Sequence, residues 1–335
     1  MENNNGNYKV GVIAGLGSAI TWGIDTVLMV IVLAMSPFLP ENAVFLAPFI
    51  TAFFHDAFSA VWTFIYLASK RQLGALFKSM KTKSALFVAL AALMGGPIGM
   101  TAYVLSVKYI GPSYTAIISS LYPAVGAVGA YFLLKEKITK KGWAGLFVAI
   151  LGICIVGYSS NESGISIVGI IFALVCAIGW GSECVICAIG MKGDEVSAEF
   201  ALQIRQLTSG LVYGFLIIPI IGGIGLSFEI LRTSAVWWLL AIALSGTLSY
   251  LFYYQSIYKI GATKAMSLNI TYVVFSIAFD ILINGTQLSL KTIICSIMVM
   301  VGVYYVAKAP EEEIEATAKS PKEEKIEATM LAEIE

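Results

Sequence analysis

Apolar residues along the chain gather into ten blocks, each close to the roughly 20 residues that one helical membrane crossing needs. The blocks span 9–34, 44–68, 84–107, 112–134, 142–159, 165–189, 199–221, 235–257, 265–284 and 291–307. Polar connections between them are short and leave no room for a soluble domain. Pro37 and Pro40 mark the first break, and Gly222-Gly223 marks the one after the seventh block. The pattern predicts an all-α membrane protein of ten transmembrane helices. The polar opening MENNNGNYK leads into an apolar run too long for a signal-peptide core, so the first block reads as an uncleaved span.

Composition agrees. The chain is 58% hydrophobic, and its 13% of charged residues is about half the roughly 25% of soluble proteins. The formal net charge of zero conceals segregation, because nine of the 21 acidic residues lie beyond Pro310. That stretch, from Lys308 onward, is Glu- and Lys-rich without a long hydrophobic period and reads as a disordered cytoplasmic tail.

Basic residues set the expected orientation. With the N-terminus inside, the inner side holds Lys9, Lys70, Arg71, Lys78, Lys81, Lys83, Lys135, Lys137, Lys140, Lys141, Lys192, Lys259, Lys264 and Lys308. The outer side holds only Lys108, Arg232 and Lys291, so both termini are expected on the cytoplasmic side of the cell membrane.

A shift of 150 residues lays SVKYIGPSYTAIISSLYPAVG on SIYKIGATKAMSLNITYVVFS without a gap. Gly96 then meets Gly246, Tyr103 meets Tyr253, Tyr122 meets Tyr272 and His55 meets Arg205. The first and sixth blocks match at a shift of 158, which sets Trp22-Gly23 on Trp180-Gly181 and Asp25 on Glu183. Five helices per unit is an odd number, so the second unit enters the membrane from the opposite side. The expected organisation is a short N-terminus (1–8), two inverted five-helix repeats (9–159 and 160–307) and the tail (308–335). In such repeats the binding site lies near the midplane, at the repeat interface.

The paired acids Asp25 and Glu183 are the leading site candidates. A carboxylate in hydrocarbon costs roughly 2.5–3.5 kcal/mol and normally faces a protein interior or a watery cavity. Each also sits three residues from a Trp, on one helical face. The plain alternative is interhelical polar glue. Trp22, Trp180, Tyr103, Tyr122, Tyr253, Tyr254 and Tyr272 are candidate walls, since aromatic faces attract a desolvated ammonium group. Ordinary packing or interfacial anchoring is the competing account of each. His55 and Asp56 join Asp25 and Glu183 as proton-coupling candidates, and Arg205 is expected to be an internal counter-ion to Asp56 or Asp280.

No enzyme signature appears: there is no Walker A string, no HExxH and no Cys/His cluster for zinc. No cofactor, nucleotide site, metal site or nucleic-acid partner is expected. Cys184-Val185-Ile186-Cys187 has CxxC spacing, but within a span it reads as packing.

The two Trp-Gly pairs resemble the drug/metabolite transporter superfamily in its ten-helix form with two EamA-type repeats. So does the segment from Gly111 to Val156, where Tyr122-Pro123 precedes Lys135-Glu136-Lys137-Ile138-Thr139, Gly142-Trp143 and Gly152. The second repeat departs from the pattern with Val273 in place of Pro123 and Thr286 in place of Glu136. The resemblance implies a central cavity between the units and alternating access by rocking. The acids beside Trp-Gly, with Gly95-Gly96-Pro97-Ile98-Gly99-Met100, are similar to the bacterial choline-transporter branch. The expected function is secondary transport of a small organic cation, choline or a similar quaternary amine, with protons as a possible coupling partner. Export of amino acids, polyamines or drugs is the alternative transport reading, and a non-transporting scaffold or receptor is the alternative of another class.

Overall fold

The computed structural model describes residues 2–133, 138–163, 166–191, 195–260 and 262–307. The tail 308–335, the Lys135-Glu136-Lys137 motif, Lys192 and Gly261 lie outside the described residues. Among the described residues every regular element is helical. Hydrocarbon offers the backbone no hydrogen-bond partner, so a helix, which satisfies its own amides and carbonyls, is the element these apolar blocks can form.

The helices are α1 (Glu2–Leu33), α2 (Ala47–Ser69), α3 (Leu73–Ser79), α4 (Lys83–Leu93), α5 (Thr101–Ser119), α6 (Tyr122–Leu133) and α7 (Lys140–Ser163). There follow α8 (Ile167–Met191), α9 (Ala198–Val212), α10 (Ala235–Ile260), α11 (Ala262–Asn269), α12 (Tyr272–Phe279) and α13 (Leu290–Ala307). A π-helical turn, Met94–Met100, joins α4 to α5, and others at Tyr213–Ile217 and Asp280–Asn284 extend α9 and α12. Six stretches among the described residues are long and apolar enough to cross a membrane: Tyr8–Leu33, Ala47–Ser69, Lys83–Ser119, Ile167–Met191, Ala198–Ile220 and Ala235–Ile260. Tyr122–Leu133, Tyr272–Asn284 and Leu290–Tyr305 are shorter apolar helices.

Two blocks that the apolar pattern draws as single spans, 112–134 and 265–284, are broken helices. At the first, Gly111 takes φ 76°, ψ 170° ahead of Pro112, and α5 stops eight residues later. Ser119 and Ser120 donate to the carbonyls of Thr115 and Ile117, both at 2.6 Å, and so hold polar backbone groups that the break frees. At the second, α11 ends at Asn269 and Thr271 donates to the Leu268 carbonyl at 2.7 Å before α12 begins. Tyr122 and Tyr272 therefore each open the helix after a break.

In the packing, α1 lies against α10, α11 and α12, while α8 lies against α5 and α6. Helices α2 and α9 pair, and so do α7 and α13. The Trp-Gly glycines explain two of these crossings. A β-carbon on Gly23 would lie 2.8 Å from Phe275 Cβ, and one on Gly181 would lie 2.7 Å from the Tyr122 carbonyl oxygen. Each glycine thus lets its helix press onto the helix beyond a break, which holds the neighbouring Trp over the centre of the bundle.

Candidate functional site

A continuous polar chain runs through the buried centre of the bundle. His55 Nδ1 stands 2.9 Å from Asp56 Oδ1, and its Nε2 stands 3.3 Å from Asp25 Oδ1, an ion-pair distance without hydrogen-bond alignment. Arg205 donates from Nη1 to Asp56 Oδ1 at 3.0 Å and from Nε to Glu183 Oε1 at 2.9 Å. The guanidinium also donates to Gln206 Oε1 (2.6 Å) and to the Tyr250 hydroxyl (3.0 Å), and it lies 4.6 Å from the centre of the Tyr250 ring. Ser209 donates to the second Asp56 oxygen at 2.5 Å. Asp25, His55, Asp56 and Arg205 have no exposed surface and Glu183 retains 5%.

These contacts join α1 (Asp25), α2 (His55, Asp56), α8 (Glu183) and α9 (Arg205). The grouping is mirrored. Asp25 of α1 faces His55 of α2, and Glu183 of α8 faces Arg205 of α9. Asp56 lies between the two cations and contacts both. Both imidazole nitrogens of His55 point at carboxylate oxygens, an arrangement that the doubly protonated ring fits.

Glycines make room for this chain. A β-carbon on Gly246 would overlap the His55 imidazole, and one on Gly95 would overlap the Glu183 carboxylate. The Gly-Gly-Pro string that opens the π-turn therefore places bare backbone against the charged groups.

Over the polar chain sits an aromatic cluster. Trp22 packs 5.2 Å from Trp180, 5.7 Å from Tyr103, 5.5 Å from Tyr250 and 6.1 Å from His55, centroid to centroid. Trp180 lies 4.8 Å from Tyr103 and 6.1 Å from Tyr122. Beside the cluster is a cavity of about 40 Å³ lined by Trp22, Tyr122, Trp180, Glu183, Tyr253 and Tyr272 among the expected site residues. It is room for only a few water molecules.

Five expected members do not line that cavity: His55 and Asp56, which lie within the polar chain, and Asp25, Tyr103 and Tyr254. Asp25 is sealed behind His55, and its Oδ2 has no hydrogen-bond partner. Tyr103 turns its hydroxyl to Thr26, and Tyr254 turns its hydroxyl to Cys187 Sγ at 3.4 Å. Cys184 is likewise a partner of the Tyr253 hydroxyl at 3.2 Å, and both cysteines are free thiols. Asp280 is not the counter-ion of Arg205. It accepts from Ser113, Asn284 and Thr286 at the π-turn that it opens, where local donors already satisfy it.

Several cavity residues went unmarked in the sequence. Tyr250, one turn before Tyr254 on α10, lines the cavity and carries the hydrogen bond from Arg205. Asn269 accepts from the Tyr122 hydroxyl and donates to Ser18 Oγ, both at 2.7 Å, and closes the floor from the end of α11. A signal for Asn269 was available, since an amide inside an apolar block needs a partner.

A model of the EamA-like transporter family matches residues 9–158 and 167–308. Protein LicB of Haemophilus influenzae is 35% identical over 216 residues, covering 64% of this chain and 73% of LicB. The riboflavin transporter ImpX of Fusobacterium nucleatum is 25% identical over 244 residues, 69% of this chain and 79% of ImpX. The uncharacterized transporter YyaM of Bacillus subtilis is 26% identical over 275 residues, 77% and 86% of the two chains. One solved crystal structure superposes with a TM-score of 0.57 at 15% identity, covering 88% of this chain and 95% of its own. At that identity the likeness concerns the fold alone.

Proposed function

Because the chain belongs to the EamA-like transporter family, we propose that it is a secondary transporter of a small organic cation, choline or a similar quaternary amine. The observation that carries this reading is a surplus of buried carboxylates over cationic side chains under aromatic rings. Three carboxylates, Asp25, Asp56 and Glu183, face two cations, Arg205 and His55. With all three carboxylates ionised and His55 protonated, three minus two leaves a net charge of minus one. A charge in low dielectric needs a counter-charge, and the cavity meets this network at Glu183, where a cation supplies one. Trp22, Trp180 and Tyr250 offer π faces to a group that cannot donate hydrogen bonds.

The same surplus charge is neutralised equally by a proton. Cation and proton then compete for one site, which is the thermodynamic basis of cation/proton antiport. Asp25 is the favoured carrier, because it is the carboxylate with no hydrogen-bond donor of its own.

The ten-span inverted repeat belongs to this proposal. Exchanging the two units turns the α1–α10 contact into α8–α5 and the α1–α12 contact into α8–α6, and it maps α2–α9 and α7–α13 onto themselves. The matched breaks before Tyr122 and Tyr272, 150 residues apart, support the same reading. Cell-membrane location with both termini cytoplasmic rests on the Lys and Arg distribution. A cavity of about 40 Å³ is too small for an organic cation, so the conformation is a closed one. Loading requires the rings of Trp22, Trp180 and Tyr250 to part, as alternating access by rocking of the two units provides.

A thermal-shift screen of purified protein tests the substrate class, because a ligand that binds the folded state raises its apparent stability. Quaternary amines should shift the transition. Stabilisation by amino acids or riboflavin with no response to any amine would overturn the cation assignment.

A further inference from the structure

A second cavity, of about 580 Å³, opens on the outer wall of the bundle, away from the polar chain. Its long walls are one face of α2, from Phe53 to Phe64, and one face of α9 with its π-turn, from Gln203 to Phe215. The short helix α3 closes one end with Leu76, Phe77 and Met80. The two walls run antiparallel: a β-carbon on Gly214 would meet Phe53, and one on Gly210 would meet Ala57. Phe64 and Gln203 therefore come together at the α3 end. The twelve residue steps from Gln203 to Phe215 rise about 18 Å, a little more than one leaflet of a hydrocarbon core about 30 Å thick.

Two features separate this cleft from an ordinary lipid-facing surface. Gln203 lines it at 3% exposure, and its Oε1 has no hydrogen-bond partner, so the cleft contains a buried acceptor that calls for a donor. The α3 end is also strongly basic. Lys70, Arg71, Lys78, Lys81 and Lys83 are exposed around the lining residues of α3, and none pairs with a carboxylate among the described residues. Arg71 even occupies a left-handed position, φ 56°, that glycine fills at least cost. Glu195, the acid among the described residues of the α8–α9 connection, accepts from Ser84 at 2.8 Å, and its neighbour Asp194 lies outside the described residues.

We propose that the cleft between α2, α3 and α9 binds an anionic, hydroxyl-bearing phospholipid of the phosphatidylglycerol type. One acyl chain lies along Phe53, Phe64, Leu211 and Phe215. The headgroup phosphate lies among the lysines of α3 and its flanks, and the headgroup level supplies the donor that Gln203 lacks. Juxtamembrane lysines attract anionic headgroups by about 1 kcal/mol each, and the apolar walls fit a chain and not a hydrophilic solute. The proposal is independent of which substrate the central site carries.

Native mass spectrometry of the purified full chain, equilibrated with equal phosphatidylglycerol and phosphatidylcholine of identical chains, tests it. The wild-type protein should retain phosphatidylglycerol in clear preference. Lys78→Gln with Lys81→Gln, on exposed positions, should lower that preference about 30-fold, equivalent to about 1 kcal/mol per lysine. Val61→Trp, at a half-exposed lining position, should fill the cleft and lower retention of both lipids. Equal retention of the two lipids by the wild type overturns the proposal, as does an unchanged preference in the lysine variant. Full retention in Val61→Trp, with loss only in the lysine variant, places the lipid on the surface charge alone and overturns the cleft.

Discussion

Glu183 and Arg205 are joined by a 2.9 Å hydrogen bond from Nε to Oε1, with the arginine fully buried. The carboxylate that lines the cavity is therefore hydrogen-bonded to a permanent cation, whereas Asp25, sealed behind His55, has only the imidazole at ion-pair distance and no aligned donor. The two acids align in sequence but differ in circumstance, and they should respond differently to mutation.

Arg205 holds two carboxylates and a tyrosine hydroxyl at once. Arg205→Gln should destabilise the protein by about 3–5 kcal/mol, because it leaves buried charges uncompensated. Adding Glu183→Gln and Asp56→Asn to that variant should restore part of the loss. Unfolding midpoints in detergent measure both effects, and a wild-type midpoint for Arg205→Gln alone would contradict the charge-paired network.

Asp25→Asn removes the surplus charge without breaking a hydrogen bond, since neither Asp25 oxygen has an aligned partner. Its expression and unfolding midpoint should match the wild type. Affinity for a quaternary amine should fall at least tenfold, about 1.4 kcal/mol. Titration calorimetry on the purified variant checks the second number.

Much of this arrangement was legible in the sequence. The bounds of α2, α8 and α10 and the C-terminal end of α1 follow the apolar blocks closely, because block length and helix length answer to the same hydrocarbon thickness, whereas α1 begins seven residues before its block, at Glu2. The Trp-Gly-x-Asp and Trp-Gly-x-Glu pairs led to the centre of the bundle, and the matched His55 and Arg205 led to their neighbours. Hydropathy could not show that 112–134 and 265–284 break after Ser119 and Asn269, since hydroxyl hydrogen bonds, not polarity, close those ends. Nor could it tell Tyr250 from Tyr253 and Tyr254, because three tyrosines within five residues differ only in the face of α10 that they occupy. The place of Asp280 was misread for a similar reason. A lone acid in an apolar block suggests a distant cation, whereas here Asn284 and Thr286, four and six residues on, supply its donors.

Gly246→Ala and Gly95→Ala should each push a charged side chain out of place, His55 in one case and Glu183 in the other. Overpacking of this kind costs about 1–3 kcal/mol, and transport should fall more than stability. Gly74→Ala is the matched control. Nothing lies within 4 Å of its β-carbon, so a slight gain in stability is expected from helix propensity. Uptake rates normalised to folded protein distinguish the three.

Trp22→Ala and Trp180→Ala should each weaken amine binding by about 0.5–2 kcal/mol, roughly 2- to 30-fold. Tyr103→Phe keeps the ring and removes only the hydroxyl that faces Thr26, away from the cavity. Its affinity should stay near that of the wild type, so a loss as large as that of the tryptophan variants would place the cavity elsewhere.

Counterflow in proteoliposomes bears most directly on the central claim that surplus buried charge makes this a cation transporter. Vesicles loaded with unlabelled choline should accumulate labelled choline through the wild-type protein. Other quaternary amines should compete, and amino acids and riboflavin should not. Asp25→Asn should abolish the exchange or free it from dependence on the pH gradient. Exchange of a neutral or anionic metabolite with no exchange of any organic cation would contradict the account, as would full, equally pH-dependent choline exchange by Asp25→Asn.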